Sequence, residues 1–432
     1  MQVFAEEVIP VLEGEKICLP RMAKARQKFS AKEIKDISAE IEKGLSSCNL
    51  SFDRKKIAIT VGSRGIWKIK EIVKIIIEGL KKRGANPFIV AAMGSHGGAN
   101  AEGQKELIEG YGISENTMGV PIIGSMEVIE LGKTPQGIRV FCQKQAFEAD
   151  GIIVMNKVKP HADFKGELES GLAKMMIVGL GKHRGATEIH HRGFAHITEL
   201  LEPAAKLFLK RAPVVLGIGI IENAYDRIME LAFTEPGRFL HAEKEMLRKA
   251  KANLAGINLS GIDVLLINKI GKNISGEGMD PNVTGRPGSY LQEGFSAPII
   301  QKIVVFGMTE ETHNNGVGIG MADITTRELI NQIDLKQVYT NAITSTLLGP
   351  ARLPVIAATQ RDALDLALRT CYDIEKGGKI VWIPDTAHLE EIYVSEALKE
   401  EIDKREDIEL ISEFKEMQWS VQQELLLGKE NL

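Results

Sequence analysis

Cysteine is scarce and scattered in this chain of 432 residues: Cys18, Cys48, Cys142 and Cys371 form no CxxC pair. That spacing excludes a disulfide framework and a cysteine-built zinc or iron–sulfur cluster, and it is the usage of a reducing compartment. An excess of either charge is missing too. The net charge is −4 and the pI is near 6.2, which leaves no electrostatic case for a nucleic-acid partner or an anionic membrane. The longest apolar stretches, near 72–80 and 214–221, fall well short of the roughly 18 residues that span a bilayer. The opening MQVFAEEVIPVLEGEK is acidic and has no basic segment leading into an apolar one, so no signal peptide is expected and the protein reads as cytoplasmic. GxxxxGK[ST], a GxGxxG opening a helix after the first strand, and HExxH are all absent, which removes the common phosphate-loop and zinc-protease fingerprints. No solenoid-period repeat and no low-complexity linker interrupts the chain.

What is present is an α/β pattern. Hydrophobic residues at 44% and charged residues at 26% are ordinary for a globular protein, and the length calls for two or three domains. From residue 55, the β-rich run 56–61 is followed by the turn Gly62-Ser63-Arg64-Gly65. A helical stripe of Ile69, Ile72, Val73, Ile76, Ile77 and Leu80 comes next, then a strand over 87–93 and a helix over 102–109. A βαβα succession implies a parallel sheet with right-handed crossovers. The segments 126–131 and 138–143 predict a hairpin, 151–156 a buried central strand, 166–178 and 197–209 helices, 214–222 and 228–234 strands, and 235–255 a charged helix. A second α/β pattern follows, with strands at 264–268, 302–307, 355–358 and 379–383. It has a helix capped by Asp323 and another over 360–371. The expected fold class is therefore α/β, with two lobes, mainly parallel sheets and an active-site cleft between the domains. The lobes are residues 1–257, which hold the catalytic and cofactor-binding machinery, and 258–395. A charged helix at about 396–427 is expected to return to the first lobe.

Chemistry-bearing side chains gather at the predicted strand ends, where open α/β sheets bind ligands. Gly94-Ser95-His96-Gly97-Gly98 follows one strand and Pro160-His161-Ala162-Asp163 another. Imidazole suits acid–base work because its ordinary pKa is about 6.5, and Asp163 is placed to orient it. A single histidine in a glycine turn is equally a surface residue; two at the ends of two strands of one sheet weigh more. Lys174 lies in an otherwise apolar and small segment, 171–179. It is either a snorkelling helix lysine or a partly buried amine of the kind that becomes nucleophilic. His183, His190, His191 and His196 crowd a short stretch. The neighbours His190 and His191 cannot face one way on a regular element, so a metal would take one of them and find its other donors elsewhere or on a cofactor. In the second lobe the loop 273–286, with Asn282, Thr284 and Arg286, offers amides, a hydroxyl and a guanidinium suited to a carboxylate or hydroxylated substrate. The loop 310–316 follows the next strand in the same way.

These segments resemble the nickel-dependent lactate racemase family from about residue 55 to 390, most closely at 91–100 and 155–194. The resemblance implies that His96 and His161 are the two acid–base catalysts. It implies that Lys174 is tethered to a nickel-pincer nucleotide, pyridinium-3,5-bisthiocarboxylic acid mononucleotide, and that His190 ligates the nickel, with His191 as the alternative. Arg64 corresponds to an arginine near cofactor or substrate, with Ser63 beside it, and Trp382 to a tryptophan lining the site. The implied reaction is racemisation or epimerisation at C2 of a 2-hydroxy acid by reversible hydride transfer through a 2-keto acid. Where lactate enzymes carry an acidic residue ahead of the arginine, this chain has Gly62-Ser63. The loop 278–286 has Arg286 where a lysine is expected. Both departures point to a 2-hydroxy acid other than lactate, larger or polyhydroxylated. Two other readings use the same residues: a metal-dependent lyase or hydrolase, and a non-catalytic small-molecule binding protein. The oligomeric state is left open.

Overall fold

The computed structural model describes residues 17–48, 50–63, 65–291, 293–374 and 377–427. They form two compact units: residues 30–254, and the described residues up to Phe29 joined to those from Ala255 onward. None of the helices among the described residues is long and apolar enough to cross a membrane.

The first strand, β1 (Met22–Gln27), belongs to the discontinuous unit. The chain then enters the 30–254 unit, which holds β2 (Lys56–Val61), β3 (Asn86–Ala91), β4 (Ile122–Ile123), β5 (Val128–Lys133), β6 (Arg139–Gln143), β7 (Gly151–Lys157), β8 (Val214–Glu222) and β9 (Ile228–Thr234). Six of these make a sheet in the order β4-β3-β2-β7-β8-β9. It is parallel except at the β8–β9 edge. Helices cover its strands, so β2 and β7 read as continuous apolar runs with five buried residues each. The predicted stripe forms the helix Ile69–Lys82, and its Ile72, Val73, Ile76, Ile77 and Leu80 are wholly buried. Each such side chain contributes about 1.5–3 kcal/mol relative to exposure. The helix ends at Gly84, whose φ of +81° suits a glycine beyond a helix C-terminus. β5 and β6 pair as the expected hairpin.

Topology sets the site. From β2 the chain moves one way to β3 and β4, and it later places β7 and β8 on the other side of β2. The C-terminal ends of β2 and β7 thus flank a topological switch point, with the end of β3 next to it.

Around Lys174 the local structure differs from the expected helix over 166–178. The helical turn Leu172–Lys174 passes directly into a π-helical segment, Met175–Leu180, and then into the helix Lys182–His190. Helix is excluded before Leu172 because Ser170 is bridged to Lys159 in extended fashion. π turns are rare and recur at functional sites.

The second unit continues with β10 (Gly261–Ile270), β11 (Ile299–Met308), β12 (Ile324–Thr326), β13 (Val355–Ala357), β14 (Ile380–Ile383), β15 (Glu391–Ser395) and β16 (Ile408–Leu410). Its sheet runs β13-β12-β11-β10-β14-β15-β1-β16, parallel from β13 to β14 and antiparallel beyond. Two expectations are corrected here. Asp323 does not cap a helix, since β12 follows it and Thr326 caps the helix Arg327–Gln332. The tail is not a long helix against the first lobe. After the short helix Lys399–Ile402 it adds β16 to β1 in the second unit's own sheet, because β1 presents an open edge whose N–H and C=O groups need partners.

Candidate active site

Three adjacent parallel strands, β3, β2 and β7, deliver the reactive residues. β3 runs into the glycine turn that carries His96. Gly97 has φ +63°, and a Cβ there would lie 2.6 Å from the Gly103 carbonyl oxygen, so only glycine lets the turn close against the next helix. The His96 side chain is exposed, and its Nδ1 is hydrogen-bonded to the hydroxyl of Ser63, in the loop after β2. Buried side chains hold this turn from beneath. Gln104 Nε2 donates to the carbonyls of Gly94 at 2.9 Å and His96 at 3.1 Å. Gln104 Oε1 accepts from Lys182 Nζ at 2.7 Å, and that amine also donates to the Ala91 carbonyl. Lys182 is 1% exposed and has φ +56°; burial brings its amine down to about 7.

β7 runs through Pro160 to His161. Its backbone N–H donates to Glu169 at 2.6 Å, and Gly166 N–H donates to the other oxygen of that carboxylate at 3.0 Å. Glu169 is wholly buried and pairs with Lys165 and Lys251, so its charge is compensated and the loop is pinned. The imidazole stacks on Phe164, with centroids 4.1 Å apart. Asp163 orients it, but through the backbone: the Asp163 N–H donates to His161 Nδ1 at 2.9 Å, while its carboxylate stays 3.9 Å from that atom. His161 Nε2 then meets Lys174 Nζ at 2.5 Å.

Lys174 ends its helical turn with Nζ 5.6 Å from the Phe164 ring centroid. The turn is capped from below by Glu243, which accepts from Ala173 N–H at 2.7 Å and from the Leu172 N–H. Glu243 is buried, and one of its oxygens, Oε1, has no hydrogen-bond partner. Burial pushes this carboxyl up to about 8. A Cβ on Gly171 would lie 2.1 Å from that oxygen, which explains the glycine.

His190 closes the helix Lys182–His190 and stacks on Phe194, with centroids 5.7 Å apart. Burial first, then the charges of Lys174 and His191, bring its imidazole down to about 4. It is therefore neutral at physiological pH, as a metal ligand must be. His191 is exposed. Phe164 and Phe194 lie 6.4 Å apart and join the surroundings of His161 and Lys174 to those of His190. Among the described residues no group of three or more His, Cys, Asp or Glu is placed to hold a metal ion. A metal at His190 thus needs donors from outside the described residues.

Asn282, Thr284, Arg286 and Trp382 lie in the second unit. Arg64 lies outside the described residues. Asn282 donates to Asp280 at 2.8 Å, and Thr284 is 2% exposed, so both build their own loop. Arg286 is spent on Asp323 at 2.6 Å and on the Ile300, Gln301 and Met321 carbonyls. That places it at the start of β11, the end opposite to where parallel strands bind ligands. Trp382 is 7% exposed and packs edge-on against Tyr393 in the core of the second unit.

Residues 18–199 match the model of the lactate racemase N-terminal domain. Over that segment the chain is similar to the lactate racemase family. The match contains Ser63, His96, His161, Lys174 and His190, whereas Asn282, Thr284, Arg286 and Trp382 lie beyond it. Among solved structures, the lactate racemase apoprotein from Thermoanaerobacterium thermosaccharolyticum aligns with a TM-score of 0.52 over 84% of this chain and 93% of that one. At 13% identity that likeness concerns the fold. No curated protein matches this sequence. Sequence reasoning missed the supporting residues of this racemase-like chain: Gln104, Glu169, Lys182 and Glu243. Each is a polar residue in a segment that reads as solvated, and only burial by distant elements reveals it.

Proposed function

We propose that the protein is an isomerase that inverts C2 of a 2-hydroxy acid, with His96 and His161 as acid–base groups. In this reading Lys174 anchors a nickel-pincer nucleotide and His190 ligates its nickel. The observation that carries it is the meeting of His161, Lys174 and a neutral His190 around Phe164 and Phe194 at the switch point, with His96 on the neighbouring strand end. The donor set fits such a cofactor: one neutral imidazole for the metal, one amine for attachment, aromatic side chains around both, and no protein cluster able to hold a bare ion among the described residues.

When bound, the cofactor supplies a pyridinium ring that takes hydride from C2 and returns it. The chain handles protons and orientation. One histidine receives the hydroxyl proton of the substrate and the other supplies a proton to the product, and two are required because the two configurations present their hydroxyls on different sides. Ser63 fixes the His96 ring through Nδ1, and Asp163 N–H does the same for His161, whose Nε2 faces Lys174 Nζ. Ser63 also stands where lactate enzymes carry an acidic residue. We therefore assign a 2-hydroxy acid larger or more polar than lactate.

The test is chiral analysis of a panel of 2-hydroxy acids in deuterated buffer, using chain produced together with the cofactor. Interconversion of one pair, lost in His96→Ala and in His161→Ala, is expected. Normal turnover in either variant refutes the acid–base pair. Lys174→Ala should abolish the mass increment on residue 174, and an unchanged increment refutes the anchor.

A further inference from the structure

Among the described residues ten large apolar side chains are exposed, and eight of them lie between residues 290 and 372 of the second unit, each 48–79% exposed. They are linked in space. Tyr339 and Ile343 stand one turn apart on the helix Leu335–Ser345 and share a face. The chain runs on through Leu348 to Gly349, where a Cβ would lie 2.3 Å from the Tyr290 hydroxyl. The Arg352 guanidinium covers that same ring, 5.4 Å from its centroid. Leu353 and Val355 follow at the start of β13, and Val355 N–H donates to the Asp323 carbonyl at 2.9 Å. Asp323 pairs with Arg286, which donates to the Ile300 carbonyl beside Ile299. Tyr372 completes the run, its carbonyl accepting from Gln301 Nε2 at 3.1 Å.

Size, charge and edge chemistry together say what covers this face. Taking about 150–250 Å² for a whole tyrosine and about 100 Å² for an aliphatic chain, the eight leave on the order of 600 Å² of apolar side chain in water. A stable dimer buries about 800 Å² per partner, of which some 60% is apolar. The face therefore has the area of one half of such an interface, at the upper end of the patch that a lone chain exposes. It also selects no charged partner. Residues 337–351 hold no charged side chain, where the 26% of the whole chain would give about four. Arg286 is neutralised by Asp323, and Arg352 lies over Tyr290. An extended peptide is disfavoured as well: β13 is the sheet's edge, but it has three residues and follows Pro354, which blunts it as a template for strand addition.

We propose that this face is the two-fold interface of a homodimer, formed by side-chain packing around Leu348, Leu353 and Tyr290. A hollow of about 260 Å³ lies in the face, lined by Arg286, Pro287, Tyr290, Met321 and Asp323. Knobs and hollow belong to the same surface, so a two-fold axis lets each copy fill the other's hollow with its own leucines. Ile299, Val355 and Gln301 stand at or near the starts of β11 and β13. The contact thus uses the end of the sheet opposite to the one where parallel strands bind ligands, and it leaves that end open. It is independent of the chemistry in the 30–254 unit.

The test is sedimentation velocity of the full chain from about 1 to 100 µM, a range that brackets a micromolar dimer. The parent is expected to move from 47.5 kDa to twice that mass. Ile343→Glu combined with Leu348→Glu changes positions that are exposed in the single chain and so leaves its folding intact. The pair should weaken association at least about a hundredfold, because each carboxylate would be buried unpaired on both copies. Val421→Glu, in the tail segment that Gln360 holds beyond the other end of β13, should leave association unchanged. Hydroxyl-radical labelling of Leu348 and Tyr290 should fall as the parent is concentrated. A parent that stays at 47.5 kDa throughout overturns the proposal, as does a dimer that survives the double substitution. Growth beyond the dimer overturns it too, since that is the behaviour of a head-to-tail contact, and so does a monomer that holds a different protein on this face. Should the double variant fail to fold by circular dichroism, the labelling decides, and equal labelling of Leu348 at both ends of the range refutes the interface.

Discussion

Glu243→Gln is the most quantitative perturbation this structure offers. The carboxyl caps the turn that bears Lys174, yet it is buried with one oxygen unsatisfied, and burial raises it from 4.5 to about 8. Its folded-state value lies above the unfolded one, so the folded state binds the extra proton between those limits. The stability associated with Glu243 is therefore fully present below about 4.5 and is lost as pH rises toward 8. At about 1.4 kcal/mol per tenfold change in proton affinity, the full displacement bounds the loss at about 5 kcal/mol, and relaxation in a real interior makes roughly 2–4 the working figure. Glutamine keeps an acceptor for the Leu172 and Ala173 N–H groups and never ionises. It leaves an unsatisfied N–H₂ that costs about 1–3 kcal/mol at every pH. The variant should thus be less stable than the parent at pH 5, and the difference should close or reverse by pH 8.5. Urea unfolding of the full chain at several pH values, followed by a probe in the 30–254 unit, reads this directly. A parent-minus-variant difference that stays constant within about 0.5 kcal/mol from pH 5 to 9 would refute the reasoning.

The buried floor under His96 gives a second expectation. Gln104→Leu deletes two bonds to the turn and takes one of the two acceptors from the Lys182 amine, so a loss of about 2–4 kcal/mol is expected by denaturant unfolding. Turnover in that variant should fall more than substrate affinity, because His96 is displaced rather than removed. Gly97→Ala meets both positive φ and a backbone oxygen at 2.6 Å, and its cost of about 1–2 kcal/mol or more from backbone strain should appear in the same assay. His190→Ala should abolish nickel retention, measured by elemental analysis, while the mass increment on Lys174 persists. Loss of both together would mean that His190 acts through attachment and not as a ligand.

Much of this molecule was legible locally. The stripe over 69–80, the apolar run 151–156 and the Lys133-Thr134-Pro135-Gln136-Gly137 turn all announce their elements, because hydrophobic periodicity and turn chemistry act between near neighbours in the chain. The helix expected over 166–178 failed because its beginning is decided by a bridge to Lys159, which no residue within the segment announces. The β16 tail failed similarly. A charged helical pattern lost to an open sheet edge that β1, nearly 400 residues earlier, provides. Arg286 was read as a substrate ligand because a guanidinium in a polar loop suits a carboxylate. Asp323, on the far side of β11, offered the better partner.

By itself the sequence determined the class of fold, the order of strands and helices, and the placing of His96, His161, Lys174 and His190 where the chain turns. It also carried the family resemblance, since motifs are contiguous. Only the tertiary structure decided that His190 turns inward and His191 outward. It alone decided that Asp163 orients His161 through its amide and not its carboxylate, and that Lys174 meets His161 Nε2. It alone placed Glu243 under Lys174 from a helix some 70 residues away. The physical reason is common to all of these. Spacing along the chain sets which way a side chain leaves its element. What it meets, how dry that place is and which proton it holds depend on elements brought from far along the chain.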